Sequence, residues 1–205
     1  MTQYRLFLTA TALFLCMATT AVAAGTFHTS WRTVSFDTPI KMSPPVEIGL
    51  DAVTVTDPPD APHGKALMEI TLVAIPKDLR EGLGNSDSEV LKYVTSTFLG
   101  TSKPADKAVE RSFLGRPVVG ELLFSKIPAP REIEVYLVHL SDGESVAVAF
   151  CRGLDVSRER FVVLVEMAAR TFRESAQGGD VNLFQRICYN GSCNDFSAAY
   201  QNGGE

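Results

Sequence analysis

The strongest constraint on the fold is a pair of apolar segments joined by Asp142-Gly143. The segments cover residues 132–140 and 145–154, and both carry apolar side chains at consecutive positions. An Asp-Gly pair between two such runs is the strongest short-range signal for a β-hairpin. Strands that are apolar on both sides are typical of a sheet covered on both faces. The sequence therefore predicts a hairpin inside a sheet, with a layer packed on each side.

The same turn predicts which residues face each other. If Asp142-Gly143 is a two-residue turn, Val135 lies opposite Phe150 and Tyr136 lies opposite Ala149. Both pairs are apolar although they point to opposite faces of the sheet, because side chains alternate along a strand. This again favours a sheet that is covered on both sides.

Other segments complete the expected fold. Strand composition occurs in residues 31–36, 51–56, 66–75, 108–114 and 118–124. One helix is predicted after Ser86, which has the spacing of a capping box with Glu89. A second is predicted from residue 158 to about 175, with Ser157 as its N-cap. The expected class is α+β, with a mainly antiparallel sheet of about six to seven strands between helices, an α/β/α sandwich.

Residues 1–24 have the pattern of a secretory signal peptide. Arg5 gives the positive start, residues 6–17 are the apolar core, and small residues follow at 21–24. The apolar run is too short for a comfortable membrane span, so no membrane insertion is expected after cleavage. We expect an exported protein, periplasmic or extracellular and most simply bacterial. It would consist of one α+β domain over residues 25–176 and a tail over residues 177–205.

The charge balance argues against two classes of partner. The full chain has a net charge of −5, and loss of Arg5 with the signal peptide takes it to −6. Affinity for nucleic acid comes largely from clustered Lys and Arg. Anionic lipid surfaces likewise attract basic segments. We therefore expect neither a nucleic-acid partner nor docking on an anionic membrane.

Three cysteines remain after the signal peptide is removed. Cys188 and Cys193 enclose the short segment Tyr-Asn-Gly-Ser, in which Asn-Gly readily forms a tight turn. Because exported proteins usually meet an oxidising compartment, we predict a Cys188–Cys193 disulfide, with Cys151 reduced. The alternative is that Cys151 pairs with one of the two tail cysteines.

The order of the elements resembles the PsbP-like fold family. The resemblance is carried by WRTVSFDTPIKM near the mature start, and by SVAVAFCRGLD with RERFVVLVEMAARTF near the end. It covers about residues 28–175. That family includes extrinsic photosystem subunits, a Ran-binding nuclear import factor and DcrB-like bacterial envelope proteins. The resemblance implies the fold and a last long strand leading into a final helix, and it carries over no catalytic or binding motif.

No catalytic, cofactor-binding or metal-binding residue is predicted, and no cofactor. His63 is the one histidine with carboxylates near it in sequence, Asp57 and Asp60, and it is a weak candidate for a metal or proton site. A solvated loop is the simpler interpretation. Cys151 is expected to be a buried strand residue beside Glu134, whose charge would oppose formation of a reactive thiolate.

Four carboxylates near the hairpin raise the question of a glycosidase, which uses two acids across a cleft. They are Glu132, Glu134, Asp142 and Glu144. Nothing in the sequence places two of them across a cleft. We therefore interpret them as strand-edge and turn charges.

The expected function is that of a non-enzymatic domain that binds or assists another envelope protein. The first alternative is a small-ligand carrier, with a pocket between sheet and helix lined by residues such as Tyr136 and Met68. The second is an unrecognised hydrolase, whose polar side chains would have to converge from distant loops. The tail carries candidate partner contacts, with packing back onto the domain as the alternative: Leu183, Phe184, Tyr189, Phe196 and Tyr200.

Overall fold

The computed structural model describes residues 26–100, 102–126, 129–174, 186–189 and 192–195. The predicted signal peptide therefore lies outside the described residues. The elements in chain order are β1 (Phe27–Trp31), β2 (Val34–Thr38), β3 (Val46–Gly49), β4 (Ala52–Asp57), β5 (Met68–Ile75), α1 (Lys77–Gly82), α2 (Asp87–Phe98), β6 (Ser102–Phe113), β7 (Arg116–Ser125), β8 (Arg131–His139), β9 (Ser145–Gly153), α3 (Arg158–Thr171), β10 (Arg173–Glu174), β11 (Arg186–Tyr189) and β12 (Ser192–Asp195).

Seven strands form one antiparallel sheet in the order β3-β4-β5-β9-β8-β7-β6. The predicted hairpin, β8 and β9, lies in its interior. A smaller sheet has the order β1-β2-β10, and β11 pairs with β12. The predicted fold class, an α+β fold built mainly on an antiparallel sheet of six to seven strands, is confirmed.

The two faces of the large sheet are covered by different elements. On one face, Phe161 and Leu164 of α3, with Phe172 at its C-cap, pack with Trp31 and Phe36 of the small sheet. On the other face, the buried residues of α2 pack over the second row of sheet residues. Successive residues of β9 belong alternately to the two cores, as strand geometry requires. The prediction that both faces are covered is therefore confirmed.

The central hairpin forms as predicted, but the predicted register is wrong by one residue. Tyr136 faces Val148 and not Ala149. The loop has three residues, 141–143, and ends on Gly143 with φ of +89°. The residues that flank it are joined by a backbone hydrogen bond of 2.9 Å. A turn followed by a left-handed glycine adds one residue to a two-residue turn, and every pair shifts accordingly.

Several other boundaries differ from the prediction. The segment 31–36 is not one strand, because the chain turns at Arg32, which has φ of +51°, between β1 and β2. The sequence pattern also missed β3 and α1, each of six residues or fewer. The turn between the predicted strand segments 108–114 and 118–124 has two residues, Leu114-Gly115, so the strands extend to Phe113 and from Arg116. Short elements carry too few residues to show a period.

The long helices begin where the sequence placed them. Ser157 is the N-cap of α3, and its Oγ accepts the Arg160 N–H at 3.3 Å. Ser86 occupies the N-cap position of α2 but makes no side-chain capping bond, so the predicted capping box does not form. α3 ends at Thr171 and not near residue 175, because the chain there turns into β10 beside β2.

Candidate functional site

The open edge of the large sheet lies beside the outer flank of α3. β6 is the last strand of that sheet, and among the described residues only β7 pairs with it. Between this edge and the helix runs an open groove of about 490 Å³, which we call the β6–α3 groove. Its walls are residues 110–112 of β6 and part of α3: Val163, Glu166, Met167, Ala169 and Arg170.

Backbone polar groups of alternate β6 residues point away from β7, along the open edge of the sheet. The turn to β7 has two residues, Leu114-Gly115, with φ of +52° and +73°. The pair that closes such a turn is hydrogen-bonded, and bonded and non-bonded pairs then alternate along an antiparallel ladder. This alternation leaves three residues whose backbone N–H and C=O groups point away from β7: Ala108, Glu110 and Ser112.

A buried polar cluster lies beside the groove. Arg111 donates from Nη2 to Glu134 Oε1 at 3.1 Å, and the Tyr136 hydroxyl donates to Glu134 Oε2 at 2.7 Å. Burial, together with the bond to this carboxylate, raises the pKa of Tyr136, so the hydroxyl stays protonated. The interpretation of Glu132 and Glu134 as strand-edge charges is wrong. Both side chains are buried, and Arg152 donates from Nη2 to Glu132 Oε2 at 2.5 Å.

Sequence reasoning did not single out the flank of α3. Its members Val163, Glu166, Met167 and Arg170 follow helical spacing, one row beside the buried stripe. Val163 is 51% exposed, although valine on a packed helix is usually turned inwards. A second apolar row beside the core-facing stripe was the available signal. The sequence did not show that this row lies next to an open sheet edge.

A serine, a histidine and an aspartate do converge, from β9, β8 and α2. His139 Nδ1 lies 2.8 Å from Ser145 Oγ, and His139 Nε2 lies 3.1 Å from Asp87 Oδ2. Ser145 is only 1% exposed, and Arg80 donates to the same Nδ1 at 3.1 Å. A substrate carbonyl cannot reach this hydroxyl, so the trio ties α1 and α2 to the sheet and does not form a nucleophile site.

His63 lies beside a buried carboxylate, but not one that the sequence indicated. The His63 Nδ1 lies 2.5 Å from Oε1 of Glu69, whose side chain has no exposed surface. The His63 Nε2 lies 3.3 Å from the carbonyl oxygen of Phe98. Asp57 pairs with Arg160 instead. Within the described residues, no group of three or more His, Cys, Asp or Glu could hold a metal ion.

The two members of this pair keep each other charged. The hydrogen bond to Glu69 raises the pKa of His63 above 6.5, against the effect of burial. Burial alone would raise the pKa of Glu69, but the bond and charge of His63, the Gly64 N–H and Arg131 together lower it below 4.5. The stability that charged His63 contributes is lost as pH rises through the folded-state pKa of His63. The stability that charged Glu69 contributes is lost as pH falls through the folded-state pKa of Glu69. Both are present together between about pH 4.5 and 6.5.

Cys151 is a buried residue of the sheet. It faces Ile133 on β8 and Glu69 on β5, so the predicted neighbour Glu134 is wrong, although a carboxylate does lie beside it. Burial, and then the charge of Glu69, raise the pKa of the thiol. A group held protonated in this way is a poor nucleophile.

The tail is described only in part. Cys188 faces Cys193 in the register of β11 and β12, and the disulfide between them stays a prediction. Cα atoms of β11 lie within 8 Å of β1. Tyr189 lies in β11, whereas the other four candidate partner contacts lie outside the described residues: Leu183, Phe184, Phe196 and Tyr200.

The two residues expected to line the pocket of a ligand carrier lie in the packed core. Tyr136 and Met68 are fully buried. The centroid of the Tyr136 ring lies 5.2 Å from that of the Phe113 ring and 6.2 Å from that of the Phe150 ring. Neither Tyr136 nor Met68 lines the β6–α3 groove. A second groove, of about 290 Å³, lies between the β6–β7 hairpin, α2 and β8, and apolar side chains line it together with Arg116, Asp87 and His139. No described helix is long and apolar enough to cross a membrane.

No protein-family model and no curated protein matches the sequence. Among solved structures, the chain is similar to a Bacteroides thetaiotaomicron protein, with 11% identity over 71% of this chain and a TM-score of 0.46. This match spans only 46% of the Bacteroides chain. The Ran-binding protein Mog1p of Saccharomyces cerevisiae shares 12% identity over 72% of this chain and 94% of its own, with a TM-score of 0.42. Cyanobacterial PsbP (CyanoP) of Synechocystis sp. PCC 6803 shares 12% sequence identity over 74% of this chain and 93% of its own, with a TM-score of 0.37.

These matches include a PsbP protein and a Ran-binding protein, two of the kinds of protein in the family that the sequence resembles. With each of these TM-scores below 0.5, they carry no argument about function.

Proposed function

We propose that the mature chain is an exported, non-enzymatic domain that binds another protein of the cell envelope. The observation that supports this most is the β6–α3 groove, in which an open sheet edge lies beside a partly apolar helix flank. Sheet edges with adjacent side-chain pockets are a recurrent mode of protein recognition. A place among the DcrB-like envelope proteins of the PsbP-like fold belongs to the same proposal.

The surface of the groove differs from the interior in a way that suits a protein partner. Val163 is 51% exposed, while the core between α3 and the sheet is filled by large side chains such as Tyr136 and Phe161. Glu166 and Arg170 lie on the same flank with no ion-pair partner among the described residues. Exposed apolar area beside unpaired charges of both signs is what a specific protein interface covers.

A ligand carrier is the second candidate. The groove at Arg116 favours it, because its apolar walls and the Arg116 guanidinium would suit a small amphiphilic acid, although the Asp87 carboxylate also lines this groove. Native mass spectrometry of the purified mature chain separates the two proposals. A bound acid that dissociates from an Arg116→Ala variant would favour the carrier.

The proposal is tested by mild crosslinking of the tagged full chain in the envelope fraction of its host. We expect one stoichiometric protein partner that is lost when Val163 and Met167 are both changed to Lys. Leu50→Lys is the matched control, since Leu50 is 92% exposed at the far end of the sheet. A partnerless monomer, or a partner lost equally in the control, would contradict the proposal.

A further inference from the structure

We infer that the partner contributes an extended segment that adds to β6 as an eighth strand of the large sheet, under the outer flank of α3. This rests on the proposed function and specifies how the partner binds. Strand addition needs free backbone donors and acceptors along one edge, and a surface that accepts every second side chain of the added strand. The β6–α3 groove offers both.

The backbone requirement is met by Ala108, Glu110 and Ser112. Their N–H and C=O groups point away from β7 at every second residue, the spacing at which a neighbouring strand bonds. The straight part of β6 from 108 to 113 has no bulge, since the irregularity lies between Pro104 and Ala108. At about 3.4 Å per residue it accommodates a segment of about six residues.

The flank of α3 indicates the side chains of the added segment. From Val163 to Arg170 the helix rises by about 10 Å, which matches two or three same-face side chains of a strand. Val163 and Met167 suit aliphatic side chains. Glu166 and Arg170 suit a basic and an acidic residue respectively. The expected segment therefore alternates, with an aliphatic residue and one or two charged residues on the side that faces α3.

A second copy of this chain does not fit the same edge. Two antiparallel β6 strands in one continuous sheet would place both α3 helices on the same face, and each would occupy the space over the other's β6. Pairing centred on Glu110 would also set this carboxylate opposite itself, and pairing centred on Arg111 would do the same with two guanidinium groups. A single strand without a helix above it avoids both conflicts.

Arg111 protects the edge when no partner is bound. Its Nη1 donates to the Glu110 carbonyl at 3.1 Å, and this carbonyl points to the open side of β6. Charged residues on an edge strand are a common means of preventing indiscriminate pairing. The docked strand would replace this one bond with its own N–H, while Arg111 keeps its bond to Glu134.

The test uses a photocrosslinking amino acid at Val163 in the full chain, combined with Glu110→Pro or Glu110→Thr. Proline removes the outward N–H and adds bulk at the edge, without breaking a bond to β7. Pro117 already occupies the equivalent kind of position on β7. Threonine keeps the N–H and favours strand geometry. We expect one crosslinked peptide with alternating character, reduced about tenfold by E110P and unchanged by E110T.

Each outcome has a distinct meaning. A crosslink that E110P leaves unchanged overturns strand addition while the proposed function survives. A crosslink to a second copy of this chain overturns the assignment of a foreign segment. If no crosslink forms at Val163 but one forms from Val119 on β7, binding occurs on another face, and the inference is wrong. Urea unfolding of E110P checks that a lost crosslink does not reflect a lost fold.

Discussion

The hydroxyl of Tyr136 should stabilise the fold through its bond to a buried carboxylate, and Tyr136→Phe isolates that contribution. The ring stays in place between Phe113 and Phe150, so its packing is kept. The bond to Glu134 is 2.7 Å long, and Glu134 is only 2% exposed. Water cannot replace the hydroxyl at such a site. A hydrogen bond to a buried charge contributes about 1.5–3 kcal/mol, and we expect a loss of about 2 kcal/mol.

Urea unfolding at neutral pH measures this free energy, with Tyr93→Phe as the matched control. Tyr93 lies on α2 with its ring edge against Phe98 and is only half-buried, so loss of its hydroxyl should cost less than about 0.5 kcal/mol. Glu134→Gln in both backgrounds completes a double-mutant cycle. A change below about 0.5 kcal/mol for Tyr136→Phe, or no coupling to residue 134, would refute the reasoning.

Three further predictions concern other parts of the core. Replacing His63 by Gln should weaken the dependence of stability on pH above about 6.5, because the wild type loses its charged pair as pH rises through the raised pKa of His63. Identical pH curves would contradict this. Cys151 should resist iodoacetamide at pH 8 until the chain unfolds, as peptide mass spectrometry can follow. A Cβ at residue 120 would lie 2.5 Å from the Tyr136 ring, so Gly120→Ala should lower the free energy of unfolding by about 2 kcal/mol. Gly82→Ala is the control, because a Cβ at residue 82 would have no atom within 4 Å and should leave this free energy nearly unchanged. Thermal unfolding measures both variants.

Patterns that depend on neighbouring residues could be predicted from the sequence. The run of apolar residues in β8 and β9 indicated a sheet covered on both faces, and the N-cap at Ser157 placed the start of α3. Such signals are local, because strand alternation and helix capping involve residues a few positions apart. For the same reason the α+β class could be predicted, while short elements such as β3 and α1 could not.

Contacts between distant residues could not be predicted in this way. The local sequence indicates surface charges at Glu132 and Glu134, because nothing near them in sequence shows their partners. Arg152 pairs with Glu132 and Arg111 pairs with Glu134. The carboxylates nearest to His63 in sequence are Asp57 and Asp60, but the carboxylate that it contacts is Glu69. A charge is buried only where the fold supplies an opposite charge. Local sequence does not reveal that choice.

The sequence by itself determined that an apolar hairpin would lie in a covered antiparallel sheet, because apolar surface on both sides of a strand must be removed from water. Only the tertiary structure decided that β6 is the edge of that sheet and that the flank of α3 lies beside it. Strand order depends on which non-local pairs bury the most surface and satisfy the most backbone groups. The candidate binding site follows from that order, since it consists of the backbone groups that no other described strand pairs with.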